Sequence, residues 1–180
     1  MPKSLADGHT RVAILSAKPA DPLHPTVAEL EAGIDASCRI NSADYNVTPT
    51  ASETVEEKEL CVEGNAVAFG PSNATIEFTP FRYFGDDGAA EPTEADEIGD
   101  AVFQATKVKG TRLWIYQRET AKKATDAWAE GDEVDGFEFI TDNPQQVDRT
   151  GYVKRKVTGA YQDMWINGEV AADGDGGSGE

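Results

Sequence analysis

The chain has 180 residues, with 33 acidic side chains against 16 basic ones and a formal net charge of -17. Hydrophobic residues make up 39 % of the sequence, an ordinary share for a folded domain, which excludes a disordered chain. The acidity excludes binding to nucleic acid by bulk charge, because neutralising phosphates needs an excess of lysine and arginine. It also argues against an anionic membrane surface, and no apolar run reaches the roughly 18 residues of a membrane helix.

The first predicted elements are a strand, an arm and a short helix. Residues 12–15 are apolar and predict a strand. Residues 18–25 contain three prolines, which favour an extended arm. Thr26 and Glu29 have the spacing of a capping box, so a helix is predicted at about 27–32, ended by Gly33.

The next segments alternate between strands and a polar stretch. Residues 34–48 predict one or two strands, and residues 60–69 predict another. Residues 49–59 are polar and rich in ionisable groups, which predicts a long exposed loop, or a hairpin whose partner lies on another chain. Residues 74–84 are the clearest strand region, although Pro80 implies an edge or a bulge there.

The second half predicts one helix and several strands. A second capping box at residues 93–96 and an apolar face predict a helix at about 94–107, with Gly99 inside it. Strands follow at 112–118, 137–140 and 152–158. We therefore predict a mainly β fold, a β-sandwich or barrel of about seven or eight strands with this helix at its flank. The β domain spans 1–167, and 168–180 form an acidic, glycine-rich, flexible tail.

Motifs for catalysis or metal binding are missing from the sequence. His9 and His24 have no neighbours at the spacing of metal ligands, and no nucleophile elbow or phosphate-binding loop occurs. We predict no enzyme activity, no metal and no cofactor. No signal peptide is recognised, so a disulfide is not expected, and Cys38 and Cys61 are predicted to be small buried hydrophobes.

The basic run 154–156 and the aromatic residues each allow two predictions. The basic run 154–156 is predicted to be solvated, or else to form salt bridges with acidic patches of an identical neighbour. Most aromatic residues are predicted to pack in the core, whereas Trp128 and Trp165, near a loop and near the tail, are candidate interface anchors.

Several segments together resemble a known family. They read GTRLWIYQRE from Gly110, WAEGDEV from Trp128, TDNPQQ from Thr141 and YVKRKV from Tyr152, with TPFRYF from Thr79 and GDAVF from Gly99 upstream. In this order they resemble the major tail proteins of long-tailed phages that infect actinobacteria, over most of residues 5–160. This family has no catalytic motif, so no residue is carried over as catalytic.

The resemblance implies a structural protein of the virion, made in the host bacterial cytoplasm. A β-sandwich with a flanking helix would form rings of six subunits, which stack around the tape measure protein into a hollow tail tube. A tail terminator and baseplate or distal tail proteins would be further partners, and viral DNA would pass through the lumen without tight binding. A long loop and terminal arms would join successive rings. The candidate residues here are Thr50, Glu53, Val55, Glu57 and Lys58 in the loop, and Pro19, Pro22, Leu23 and Pro25 in the arm.

The net charge gives one further expectation, and other functions remain alternatives. A lumen lined by carboxylates would repel DNA and let it slide, so we predict a negative lumen.

A tail terminator or baseplate protein of related fold would form a single ring instead. A third alternative is an acidic β domain that binds a small ligand, which would be a monomer with one deep pocket. The last is a hydrolase that uses carboxylate side chains.

Overall fold

The computed structural model describes residues 6–55, 60–61, 68–91, 99–147 and 149–174. In these ranges it has ten strands, two short α-helices and one turn of 3₁₀ helix at Ser42–Asp44. The helices are α1 (Val27–Glu31) and α2 (Ala101–Thr106). The strands are β1 (Thr10–Leu15), β2 (Ile34–Asp35), β3 (Asn46–Thr50), β4 (Thr54–Val55), β5 (Ala68–Phe69), β6 (Asn73–Phe78), β7 (Arg112–Glu119), β8 (Glu133–Thr141), β9 (Gln145–Gln146) and β10 (Arg155–Glu169).

Eight strands form one antiparallel sheet, in the order β2-β1-β7-β8-β10-β6-β3, with β9 beside the start of β10. The strands β4 and β5 form a separate two-stranded ribbon. This confirms the prediction of a mainly β fold with seven or eight strands. Among the described residues the end strands β2 and β3 do not pair with each other, so the sheet is not closed into a barrel.

The sheet nevertheless curls until its two ends approach each other. The Tyr45 hydroxyl, just before β3, lies 2.8 Å from Gln117 Oε1 in β7, although three strands separate β3 from β7 along the sheet. The chain after β2 pairs with the chain after β6, where Asn41 N donates to Thr79 O at 2.9 Å and Phe81 N donates to Arg39 O at 2.9 Å. The curled sheet therefore wraps around an interior.

The central strands bury both of their faces, which divides the core in two. Leu113 and Ile115 of β7 face the interior of the curl, where α2 also packs. Trp114 and Tyr116 face the opposite side and pack with α1. Since side chains alternate along a strand, the apolar run of β7 serves both cores.

The helix α1 begins as its capping box predicts. Thr26 Oγ1 accepts from Glu29 N at 3.2 Å, and Glu29 Oε2 accepts from Thr26 N at 2.9 Å. Two of the free amides at the helix start are satisfied in this way. Leu30, 1 % exposed, anchors α1 on the outer core.

The second helix is shorter than predicted at its start. The prediction that Gly99 lies inside it is wrong, because Gly99 has φ +50° and α2 begins only at Ala101. The carboxylate of Asp100 is fully buried and accepts from Arg82 at 2.8 Å. This contact ties the helix start to the chain after β6. The second capping box, at residues 93–96, lies outside the described residues.

Two further predictions concern the cysteines and the C-terminal segment. The prediction of buried cysteines is wrong: Cys38 and Cys61 both lie in turns and are exposed.

At the C-terminal end, β10 continues to Glu169 and Val170 is buried. These residues belong to the segment 168–180 that was predicted to be the tail. Residues 175–180 of the predicted tail lie outside the described residues.

Candidate assembly surfaces

The proline-rich arm lies along the protein's own sheet. Pro22 O accepts from the Tyr116 hydroxyl at 2.8 Å, and Leu23 O accepts from Glu169 N at 3.2 Å. Ala171 N donates to Pro25 O at 2.9 Å. A Cβ on Gly168 would meet Leu23 O at 2.3 Å, so only glycine lets the arm come this close. Of the four predicted arm residues, Pro19 and Pro25 are buried, Pro22 is half-buried and Leu23 is exposed.

Glu29 holds the arm and α1 together. Its carboxylate accepts from Ala20 N at 2.8 Å in addition to the capping bonds with Thr26. Burial raises the pKa of Glu29, but the hydrogen bonds from Ala20 and Thr26 outweigh it and leave that pKa below its ordinary value. From the C-terminal side, Asp173 Oδ1 accepts from Ala28 N at 2.8 Å. The arm is thus fastened at several points.

The two tryptophans predicted as interface anchors are in different environments. Trp128 is 4 % exposed and lies in the outer core, between the guanidinium groups of Arg11 at 5.3 Å and Arg118 at 5.4 Å from its ring centre. Trp165 is half-buried, with Lys18 Nζ 4.9 Å from its ring centre. In the single subunit, therefore, Trp128 packs internally, and only Trp165 offers part of its indole at the surface.

A buried ion pair fixes the loop that carries Trp128. Arg118, 0 % exposed, donates to Asp132 Oδ2 at 2.9 Å. Its other amino group donates to the carbonyls of Lys123 at 2.8 Å and Asp126 at 3.1 Å. Burial raises the pKa of Asp132, but hydrogen bonds from Lys122, Ala129 N and Arg118 outweigh it and hold that pKa below its ordinary value. The burial of Arg118 was not predicted, because its partner Asp132 lies 14 residues further along the chain.

The predicted assembly loop extends the ribbon formed by β3 and β6. That ribbon pairs Thr50 with Asn73, and Thr54 then pairs with Phe69 in the ribbon of β4 and β5. Gly70 N donates to Glu53 O at 2.6 Å between them. We call the ribbon of β4 and β5, with the described residues of the segment 53–70, the distal hairpin; residues 56–59 and 62–67 lie outside the described residues. Thr50 and Glu53 are exposed, Val55 is in β4, and Glu57 and Lys58 lie outside the described residues.

The distal hairpin exposes large apolar side chains. Phe69 is 80 % exposed and Leu60 is fully exposed. The described partner of β4 is β5 of the same chain, so some backbone N–H and C=O groups of the two strands are already hydrogen-bonded to each other. Side chains of this size in water are typical of a surface that another protein covers.

One edge of β10 is open along much of its length. On one side β8 pairs with β10 from Gly159 to Glu169. On the other side β6 pairs with β10 only from Val157 to Gly159, and from Ala160 to Gly168 no described strand continues this side. At Glu169 the arm takes over, where Leu23 O accepts from Glu169 N. Unpaired strand edges are templates for pairing with another chain.

A further surface lies in the loop between β9 and β10 and includes part of the basic run 154–156, for which salt bridges to an identical neighbour were one of the two predictions. Residues 149–156 hold four basic side chains and no acid. Within this run Tyr152 is 83 % exposed and Val153 is 52 % exposed. We call Arg149, Tyr152, Val153, Lys154 and Arg155 the basic–aromatic patch. The sequence indicated the basic run but not the exposure of Tyr152 and Val153 beside it.

Two adjoining clefts border the basic–aromatic patch. One, of about 380 Å³, lies over Arg149 and Tyr152, and the other, of about 400 Å³, lies toward Tyr45 and Lys156. Val147 and Lys154 line both clefts. Among the described residues, Arg149, Lys154 and Arg155 form no ion pair, so their charges are available to a partner.

The described ranges contain neither a metal cluster nor a membrane-spanning helix. No group of three or more His, Cys, Asp and Glu side chains among them is arranged to hold a metal ion. None of the helices described is long and apolar enough to cross a membrane. The features that stand out are the open edge of β10, the distal hairpin and the basic–aromatic patch.

Comparison with known proteins gives one match. A family model described as "Phage tail tube protein" matches residues 1–174, nearly the whole chain. No curated protein matches the sequence.

Proposed function

The chain belongs to the phage tail tube protein family, and from this membership we propose that it self-assembles into stacked rings that form the tube of a phage tail. Membership implies a structural role and a place in the tail of the virion. The finer proposal is that six subunits close each ring and that the rings enclose a channel for the genome.

The observation that carries the proposal is the open edge of β10. A ring contact is heterologous, so each subunit must offer two different surfaces. Between Ala160 and Gly168 no described strand lies along this edge of β10, and β3 is the last described strand at its end of the sheet. Pairing these edges between neighbours would continue the sheet around a ring and remove its open ends.

The distal hairpin is proposed to join one ring to the next. Its ribbon extends beyond the main sheet, and its exposed residues Leu60 and Phe69 suit a contact with another subunit. The proline-rich arm is a less direct candidate, because Pro22 and Leu23 already contact the protein's own strands. Trp165 keeps part of its surface available for a neighbour.

We propose that the channel is lined by more acids than bases. DNA carries roughly one negative charge per 1.7 Å of duplex axis, so a negative wall would keep it from adhering during passage. The net charge of -17 supports this assignment. The proposed partners are further copies of the chain, the tape measure protein inside the tube, and terminator and baseplate proteins at its ends.

Electron microscopy of the purified protein tests this function. We expect negatively stained tubes or stacks of rings with six-fold end views. Single rings that never stack would instead support a terminator or baseplate protein. Monomers at all concentrations would overturn the proposal. If tubes form, a reconstruction with more bases than acids along the channel would contradict the negative lining alone.

A further inference from the structure

The distal hairpin and the basic–aromatic patch lie at opposite ends of one strand ribbon. At the start of β6, Asn73 pairs with Thr50 and the chain leads into the distal hairpin. Beyond the end of β6, Phe81 bridges to Lys154, and Arg82 N donates to Val153 O at 2.8 Å. The six residues of β6 alone span roughly 20 Å. One subunit therefore holds its hairpin well away from its own patch.

The two surfaces have opposite charge. The sequence of the distal hairpin from 53 to 59 contains four glutamates and one lysine. The patch has Arg149, Lys154 and Arg155, which form no ion pair among the described residues. The whole chain has twice as many acids as bases, whereas residues 149–156 contain four bases and no acid. Complementary charge selects the partner and its orientation.

Both surfaces also expose apolar side chains. Phe69 and Leu60 project from the hairpin, and Tyr152 and Val153 project from the patch. Tyr152 is supported from beneath by Phe81, whose ring centre is 6.0 Å away in an edge-to-face arrangement. Aromatic side chains surrounded by charge are typical of the centre of a protein contact. The cleft beside Tyr152 offers a recess for an apolar side chain.

From these observations we propose that the basic–aromatic patch is the docking site for the distal hairpin of a second copy of this chain, in the adjacent ring. This inference rests on the proposed function, since it assigns the receptor for the ring-to-ring contact. Glu53, with the acidic sequence that follows it, supplies the charge opposite to that of Arg149, Lys154 and Arg155, while Phe69 packs beside Tyr152. Because hairpin and patch lie at opposite ends of the ribbon, the contact repeats head to tail and does not close on itself.

Cross-linking between engineered cysteines tests the contact directly. In a Cys38→Ser, Cys61→Ser background, Ala68→Cys marks the hairpin and Val153→Cys marks the patch. We expect a short bismaleimide to convert assembled tubes into a ladder of covalent multimers on a denaturing gel. The matched control combines Ala68→Cys with Ala121→Cys, an exposed residue in the loop after β7, and should leave monomers.

The outcomes separate this inference from the proposed function. Tubes that form normally but give no ladder would overturn the docking site and leave the tail tube function intact. Failure of the unmodified protein to form tubes or rings would overturn the function itself. A ladder from the Ala121→Cys control would show non-specific contact and would also overturn the assignment.

Charge reversal provides an independent measurement. Lys154→Glu with Arg155→Glu should shorten the tubes by about tenfold or more, because like charges would then meet at the contact. Adding Glu53→Lys and Glu57→Lys should restore much of the length. Lys107→Glu with Lys123→Glu changes the net charge equally and should leave tube length unchanged. Equal shortening by both pairs would assign the effect to total charge and contradict the docking site.

Discussion

Arg118 Nη1 lies 2.9 Å from Asp132 Oδ2, and both side chains are almost wholly shielded from water. The pair joins β7 to the loop that carries Trp128, and the guanidinium also contacts the Trp128 ring. A buried charge without its counter-ion is strongly unfavourable, so each member of the pair depends on the other.

Replacing Asp132 should therefore destabilise the subunit. Asp132→Asn keeps the shape of the side chain but removes the negative charge that faces Arg118 and Lys122. We expect the free energy of unfolding to fall by about 3 kcal/mol, measured by urea denaturation of soluble subunits. Glu133→Gln, which removes an exposed charge next to it, is the control and should change stability by less than about 0.5 kcal/mol. Equal effects of the two variants would contradict a special role for the buried pair.

The same pair predicts how stability depends on pH. The folded-state pKa of Asp132 is lowered, so its contribution is fully present above the unfolded-state pKa of about 3.9. That contribution is lost as the pH falls through the folded-state pKa. Unfolding measured from pH 7 down to pH 3 should therefore show the stability gap between wild type and Asp132→Asn narrowing in acid. A gap that stays constant over this range would rule out the charge as its source.

The hydroxyl of Tyr116 should contribute to holding the arm. Burial, with the nearby charges of Glu29 and Asp21, raises the pKa of Tyr116, so the hydroxyl remains protonated and donates to Pro22 O. Tyr116→Phe should lower the free energy of unfolding by about 1 kcal/mol and speed protease cleavage within residues 18–25. Tyr152→Phe removes an exposed hydroxyl and serves as the control. Unchanged protease cleavage would mean that this bond does not hold the arm.

A methyl group at Gly168 should displace the arm. The new Cβ would meet the Leu23 carbonyl at 2.3 Å, a backbone atom that can give way only if the arm moves. We expect Gly168→Ala to cost about 1–3 kcal/mol and to raise hydrogen exchange at Ala171 N, which bonds to Pro25 O. Gly85→Ala is the control, since its Cβ would meet the flexible side chains of Glu91 and Asp87. A stable Gly168→Ala protein with normal exchange would contradict tight docking of the arm.

Removing the distal hairpin should separate ring formation from stacking. Gly70 N and Glu53 O are 2.6 Å apart, so an Asn-Gly turn can replace residues 54–69 and close the remaining ribbon. We expect folded subunits or single rings without long tubes in electron micrographs. The control replaces residues 175–180 with glycine and serine and should leave tube length normal. Normal tubes from the shortened chain would exclude the hairpin as the link between rings.

The sequence was sufficient to predict those helices and strands that are determined by residues close together in the chain. The spacing of Thr26 and Glu29 was sufficient to place α1, because a capping box acts within one turn. The strand predicted at 112–118 is likewise present, as β7, because its β-branched and aromatic residues favour a strand by themselves. The end of α2 was also placed to within a residue, at Thr106.

Features that depend on distant partners could not be predicted. Gly99 was assigned to a helix because nothing nearby shows that Asp100 is held by Arg82, 18 residues earlier. The environment of Trp128 in the subunit could not be predicted either, since the sequence does not reveal the two arginines that enclose it. In both cases the deciding contact lies in another element. The aromatic part of the basic–aromatic patch could not be predicted for a related reason, because the exposure of Tyr152 is a property of the folded surface.

The pairing of the arm with the last strand sets an order of events during synthesis. Ala28 and Asp173, joined by a hydrogen bond, are 145 positions apart in the chain. At about 5–20 residues per second a ribosome needs roughly 7–30 seconds to pass from one to the other. Throughout that interval the emerging arm can contact Tyr116 of β7 but lacks its partners Glu169 and Ala171 at the end of the chain. We therefore expect the arm to be the last part of the subunit to settle, and finished chains, not nascent ones, to be the units that add to a growing tube.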